Sequence, residues 1–215
     1  MARWVSYIDN SVGDVVKKKL RAMLNGADQI EFYSVSTLPD VEELGQSLDS
    51  RFSPAIVWRL WLGDYLDSLS RCVLLDCDLL FNVDIQEIWD LKLGNNVLSA
   101  PLRGHPHPPK LHAWLQVSPD SYFRACCCLI DLEKLRSYRP FVENRRDFLM
   151  ESQRMCDQGL PQAGLLEQSA LNRFFSKLCT PLPFAVIPVS RLRNHPRKTD
   201  WESVLLGGHD YILDI

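Results

Sequence analysis

The chain has 215 residues, 46% of them hydrophobic and 24% charged, the composition of a globular protein large enough to bury a core. Its 24 basic and 27 acidic residues leave a net charge of −3, which excludes a nucleic-acid binder that works by bulk electrostatics. The sequence holds no apolar run near the ~20 residues of a membrane span, and its opening MARWVSYIDNS lacks the apolar stretch of a signal peptide.

RWVSYID predicts a short strand. In SVGDVVKKKLRAML the residues Val12, Val15, Val16, Leu20, Met23 and Leu24 share one helical face, and Lys17, Lys18 and Lys19 form a solvated one. NGADQ is turn chemistry, and IEFYSVS predicts a second strand. LPDVEELGQSLDSRF is irregular. SPAIVWRLWLGDYLDSL predicts a helix with Ser53 as N-cap and Pro54 in its first position. RCVLLDCDLLF predicts a central strand, DIQEIWDL a short helix or turn, and NNVLSAP another strand. RGHPHPPKLHAWLQVSPDS, rich in Pro and His, predicts a loop. YFRACCCLIDL predicts a strand, and EKLRSYRPFVENRRDFLMESQRM a helix broken near Pro140. LLEQSALNRFFSKL predicts a helix with Leu165, Leu166, Leu171 and Phe175 apolar. FAVIPVS and the terminal DYILDI predict strands. Strands alternate with helices, so the expected class is α/β with a mainly parallel central sheet, in a single domain over 1–215.

The seven cysteines are Cys72, Cys77, Cys126, Cys127, Cys128, Cys156 and Cys179. Most lie in apolar runs, where a cysteine is a small buried hydrophobe. No CxxC pair offers zinc-site spacing. The pattern predicts a reducing compartment, the cytoplasm.

The residues that carry chemistry sit inside the central strand. Asp76 and Asp78 flank Cys77 in an otherwise apolar run. Residues i and i+2 of a strand share a face, and where the strand ends both carboxylates fan out beyond the carboxyl edge of the sheet, where open α/β sheets bind ligands. Two ionised carboxylates this close repel, and burying them without a partner costs several kcal/mol. A divalent cation resolves the conflict, and hard oxygen ligands suit magnesium or manganese. Against this, an arbitrary D-x-D tripeptide is most often a pair of turn residues at an exposed strand end. His105, His107 and His112 are a weaker metal candidate, since the intervening prolines describe an irregular loop. Of the tryptophans, Trp58, Trp61 and Trp89 are expected in the core, and Trp114 is a candidate platform for a sugar.

The block RLWLGDYLDSLSRCVLLDCDLLFNVDIQEIWDL resembles the signature of glycosyltransferase family 8. Further blocks follow in the family's order: YFRACCCLIDLEKLR, LLEQSALNRFF and FAVIPVS. Upstream, WVSYIDNSVGDVVKKKLRAMLNGADQIEFYSVS resembles the second β-α-β unit of the fold. The resemblance implies a retaining enzyme with the Rossmann-like GT-A fold. It implies a uridine diphosphate hexose as donor, manganese or magnesium as metal, and a saccharide or lipid-linked acceptor. By matching position, Asp76 and Asp78 would hold the metal, with Asp76 also touching the donor. Arg59 would lie near the diphosphate, Gln168 beside the anomeric carbon, and Glu167 on sugar hydroxyls.

Three departures from the family pattern accompany these matches. The strand ending in aaDdnY, which holds the base, is not found, although Asp9 stands in a similar setting as a nucleotide acid. Arg124 replaces the family's Asn, where it would either meet phosphate or block the pocket, and Cys126 replaces its Gly. The C-terminal HxxGxxKPW is not found either, with His209 and Asp214 the nearest substitutes for its metal-binding His. The chain therefore reads as a domain truncated at both ends. The rival reading is a non-catalytic relative that binds nucleotide sugar or serves as an interaction module, with self-association or peripheral membrane contact compatible with it. A magnesium-dependent phosphoryl-transfer enzyme is the weaker alternative, because no Gly-rich phosphate loop is present.

Overall fold

The computed structural model describes residues 3–8, 13–23, 29–34, 44, 57–76, 79–81, 83–102, 108–160, 166–183 and 186–188. They fall into two compact units, Met1–Leu62 and Gly63–Ile215. Ser53, Pro54, His105, His107, His209, Asp214 and the terminal DYILDI lie outside the described residues.

In the first unit, strands β1 (Arg3–Ile8) and β2 (Gln29–Ser34) pair in parallel around helix α1 (Asp14–Met23). A parallel pair needs such a crossover, because a tight turn cannot reverse the chain and bring it back in the same direction. The guanidinium of Arg21 lies over the Phe32 ring, 4.9 Å from its centroid, while Val15 and Met23 are more than two-thirds exposed. The segment after it turns as a one-turn 3-10 helix, Trp58–Trp61, and runs on as the four-residue helix α2 (Leu62–Tyr65).

The second unit is built on a four-stranded sheet in the order β3 (Arg71–Leu75), β6 (Cys127–Asp131), β5 (Leu98–Ala100), β7 (Cys179–Pro181). β6 is antiparallel to both its neighbours, and β5 and β7 are parallel. A separate antiparallel pair joins β4 (Leu79–Phe81) to β8 (Val186–Pro188). The α/β class holds, but the described sheet is mixed rather than mainly parallel. β6 is the reason: it enters between β3 and β5 running against both, and its four residues Cys127 to Ile130 are buried.

The single strand expected over RCVLLDCDLLF is two strands. β3 stops at Leu75, and the chain resumes at Leu79 in a different sheet. Helix α3 (Ile85–Trp89) starts at a capping box: the Asp84 carboxylate accepts from the Gln86 N–H at 2.8 Å, and Glu87 Oε1 accepts from the Asp84 N–H at 3.3 Å. Under it, Ile88 and Leu93 pack with Cys127, Leu129 and Leu182.

The Pro/His segment expected as a loop contains helix α4 (Pro109–Leu115), with proline in its first turn, where the missing N–H is not needed. Trp114 stacks on Phe148 at 5.1 Å and donates from Nε1 to Glu151 at 3.2 Å, so this ring is engaged by the protein itself. The break expected near Pro140 falls at Tyr138, between α5 (Leu132–Ser137) and the 19-residue helix α6 (Arg139–Asp157), with Pro140 in the first turn of α6. Helix α7 (Leu166–Phe175) packs on α6 through Phe141, Phe148, Phe174 and Phe175. Trp89 is 40% exposed and lies under the Arg71 guanidinium rather than in the core.

Candidate functional site

The site grows from an irregularity in the sheet. Leu102 bridges Phe123, while Ser99 pairs with Leu129. Three steps along one chain therefore face six along the other, and the excess is taken up by a turn at Ala125 and Cys126. A bulged segment of this kind re-aims the groups it carries and leaves ladder positions open to other partners. The Arg124 N–H keeps the segment attached by donating to the Pro101 carbonyl at 2.9 Å.

Two of the sequence candidates attach at this turn from opposite sides. Asp76 is the first residue beyond β3, half-buried, and its N–H donates to the Cys126 carbonyl at 2.8 Å. Gln168, in the first turn of α7, accepts at Oε1 from the Ala125 N–H at 3.3 Å. Its Nε2 donates to the Tyr122 hydroxyl at 3.0 Å. One turn further along α7, Asn172 Oδ1 accepts from the Phe123 N–H at 2.8 Å, and Nδ2 donates to the Phe123 and Gln168 carbonyls, both at 2.9 Å. The segment Tyr122–Cys126 is thus the common support of Asp76, Arg124 and Gln168. Glu167 is the next residue on α7 and is half-buried.

The remaining candidates are distributed differently. Arg59 is half-buried on the 3-10 turn of the first unit. Asp9, Cys77 and Asp78 lie outside the described residues. Cys126, which takes the place of the family's glycine, packs part of its side chain against the Ile88–Leu93–Cys127 cluster. His112 is buried on α4 with its ring edge-on to Tyr122, 5.8 Å between centroids and 84° between planes.

The site lies against the apolar sheet. Burial pushes the Cys127 thiol up to about 12, and the neighbouring Cys126 and the Asp76 carboxylate add to the shift. Among the described residues no disulfide forms, and no three His, Cys, Asp or Glu side chains gather as a metal cluster. Sequence reasoning missed Tyr122 and Asn172. The i, i+4 spacing of Gln168 and Asn172 puts both on one face of a helix, and that was the available signal for the second.

An acid at the carboxyl end of a sheet strand, beside a carboxamide anchored to the adjacent chain segment, gathers polar groups at the sheet edge of an α/β protein. The comparisons specify it. The model of "Glycosyl transferase family 8" matches residues 7–191, and the chain belongs to that family, whose role is glycosyl transfer. No curated protein matches it in overall sequence. Solved structures share the fold at low identity. The chain is 16% identical to mouse xyloside xylosyltransferase 1, with a TM-score of 0.60 over 96% of this chain and 81% of that one. It is 17% identical to the galactosyltransferase LgtC, solved with donor and acceptor sugar analogs, with a TM-score of 0.58 over 84% and 73%. It is 18% identical to the bifunctional glycosyltransferase WbbM, with a TM-score of 0.55 over 81% of this chain but only 32% of that one. The chain thus spans about a third of WbbM and roughly three-quarters of the other two. Among the described residues no helix is long and apolar enough to cross a membrane.

Proposed function

We propose that the chain is a retaining hexosyltransferase that acts as one domain in the cytoplasm. It takes a hexose from a uridine diphosphate sugar and delivers it to a hydroxyl of a saccharide or lipid-linked acceptor. The observation that carries the reading is the attachment of Asp76 and Gln168 to the consecutive residues Cys126 and Ala125. It brings a carboxylate-bearing strand end and a neutral amide to one turn, an arrangement suited to sugar-nucleotide cleavage.

Asp76 and Asp78 supply a donor set of hard carboxylate oxygens, which fits manganese or magnesium better than a softer metal. A cation held there would neutralise charge on the leaving diphosphate. Arg124, borne on the same turn, serves the diphosphate as a second, fixed positive group. A guanidinium stabilises the three negative charges of the departing diphosphate more than the two of the bound diester. Arg59 and Asp9 are further candidates for donor binding by their match to the family pattern. Gln168 presents an amide dipole to the sugar as positive charge develops on it. Its oxygen already accepts one hydrogen bond from Ala125, which leaves a weak and well-oriented acceptor rather than a strong nucleophile. Glu167 holds sugar hydroxyls. Acceptor attack on the same face retains configuration.

Hydrolysis of a panel of uridine diphosphate hexoses, followed with and without manganese, tests this. The wild-type enzyme should turn over at least one of them only with the metal. Asp78→Asn should lower kcat by about a hundredfold or more, as expected when the group stabilising the leaving charge is lost. Equal, metal-independent rates for the two proteins remove the reading.

A further inference from the structure

Gln168 is useful to a sugar only if its amide keeps one orientation. A glutamine amide does not do so by itself, because rotation about its last torsion is broad. Here the two ends are held by partners of different character. The Ala125 N–H can only donate, so the atom facing it must be Oε1, and the distance is a long 3.3 Å. The other end is held by a shorter bond, from Nε2 to the Tyr122 hydroxyl at 3.0 Å. Tyr122 itself is fixed. It is 1% exposed, its ring abuts His112 edge-on, and the next residue, Phe123, is clamped on both backbone groups by Asn172. The hydroxyl is therefore delivered to one place, and the side chain that needs it stands one helical turn from the clamp that delivers it.

We propose that Tyr122 is the positioning residue of this site: its hydroxyl sets the orientation of the Gln168 carboxamide, and through it the efficiency of the sugar-transfer step. The second half rests on the reading of Gln168 as the group beside the reacting carbon, whereas the first half stands on the geometry alone. Tyr122 does not touch the substrate. Removing its hydroxyl leaves the ring packed and Gln168 with the long Ala125 bond only, so the amide samples several orientations and the oxygen is misdirected for most of the time.

The test has two arms. In the first, protein labelled with 15N-glutamine gives the Nε2 proton pair of Gln168, assigned by its loss in Gln168→Glu. The wild-type pair should be shifted from that of an exposed glutamine and show a nuclear Overhauser contact to the Tyr122 ring. In Tyr122→Phe it should move to the exposed position and exchange with water at least about ten times faster. A wild-type pair without that contact, or a pair unchanged in Tyr122→Phe, overturns the proposal, and the wild-type measurement decides even if the variant folds poorly.

In the second arm, Tyr122→Phe should lower kcat about ten- to a hundredfold with the donor KM within about twofold, the signature of a misplaced rather than missing group. A normal kcat in a variant whose Gln168 amide has been released overturns the second half. Wild-type protein that turns over no uridine diphosphate hexose in the presence of manganese sinks the transfer reading and this half with it, and the labelled amide still decides the first half.

Discussion

At the scale of single residues, the side chain on which most depends is Asn172. It is fully buried and makes three hydrogen bonds, two of them to the backbone of Phe123 and one to the carbonyl of its own helix at Gln168. In effect its carboxamide stands in for a strand residue that the bulged segment lacks. Asn172→Ala would strand the Phe123 N–H and carbonyl in the interior, and leaving buried backbone groups unsatisfied costs about 2–4 kcal/mol for the pair. Urea denaturation should show that loss in the midpoint with the slope unchanged. Donor turnover should fall as well, because the anchor of Tyr122 and Gln168 goes with it. The sequence reached part of this arrangement. LLEQSALNRFF reads as a helix, and Asp76 reads as an acid at a strand end. What it could not reach is the partner of each group. Gln168 meets Tyr122 and Ala125, more than forty positions away, and a contact of that range leaves no local periodicity.

At the scale of elements, the sheet explains where reading by pattern failed. Cys77 continues the apolar run of RCVLLDCDLLF, so hydrophobicity alone carries one strand through the acids. β3 ends at Leu75, and the Asp76 N–H makes one last bond of the same antiparallel register, to the Cys126 carbonyl, before the turn at Ala125 and Cys126 carries the partner chain away. The prolines divide: Pro109 lies in the first turn of α4, where the pattern predicts a loop, whereas Pro140 marks the expected break, with Tyr138 separating α5 from α6. Cys127 and Cys128 are buried and the other described cysteines half-buried, and that has a measurable consequence. Burial pushes the thiols of Cys72 on β3 and Cys179 on β7 from 9.0 to about 12, the latter against an opposing backbone hydrogen bond from Ala100. The unfolded chain therefore loses these protons at a lower pH than the native one. Their stabilising contribution is complete below pH 9.0 and declines as pH rises from there toward about 12. The denaturation midpoint should fall over that window, and Cys72→Ser with Cys179→Ser should flatten the fall. At pH 8, alkylation with iodoacetamide should mark both thiols only in denaturant, since the native thiolate fraction is about a thousandfold lower than in the unfolded chain.

At the scale of the whole molecule, the two units differ in what holds them. The second unit has a four-stranded sheet whose central strands β5 and β6 are buried, with helices fixed by an aromatic cluster. The first has, among the described residues, a two-stranded parallel pair, a helix with no buried residue and a 3-10 turn that buries Leu60 and Trp61. A two-stranded pair is marginal without further packing. Native-state hydrogen exchange should then find the amides of β1 and β2 opening at free energies well below those of β5 and β6. The same measurement discriminates between a transferase and a relative that has kept the fold without the ligand. A nucleotide that binds the native state only must stabilise what it touches in proportion to its free concentration over its dissociation constant. Uridine diphosphate with manganese should therefore slow exchange at Asp76, whose N–H is tied to Cys126, and at the turn Arg124–Cys126. If Asp9 holds the nucleotide, the slowing should extend to the end of β1, which immediately precedes it. Protection at both places, abolished by chelating the metal, is what a donor held by Asp9 and by the Asp76 and Asp78 pair requires. Protection at the turn alone would assign the nucleotide to the second unit and remove Asp9 from the site. Exchange unchanged everywhere at millimolar nucleotide and metal would mean that the strand end and the bulged turn persist here as architecture, their hydrogen bonds serving the fold and no donor.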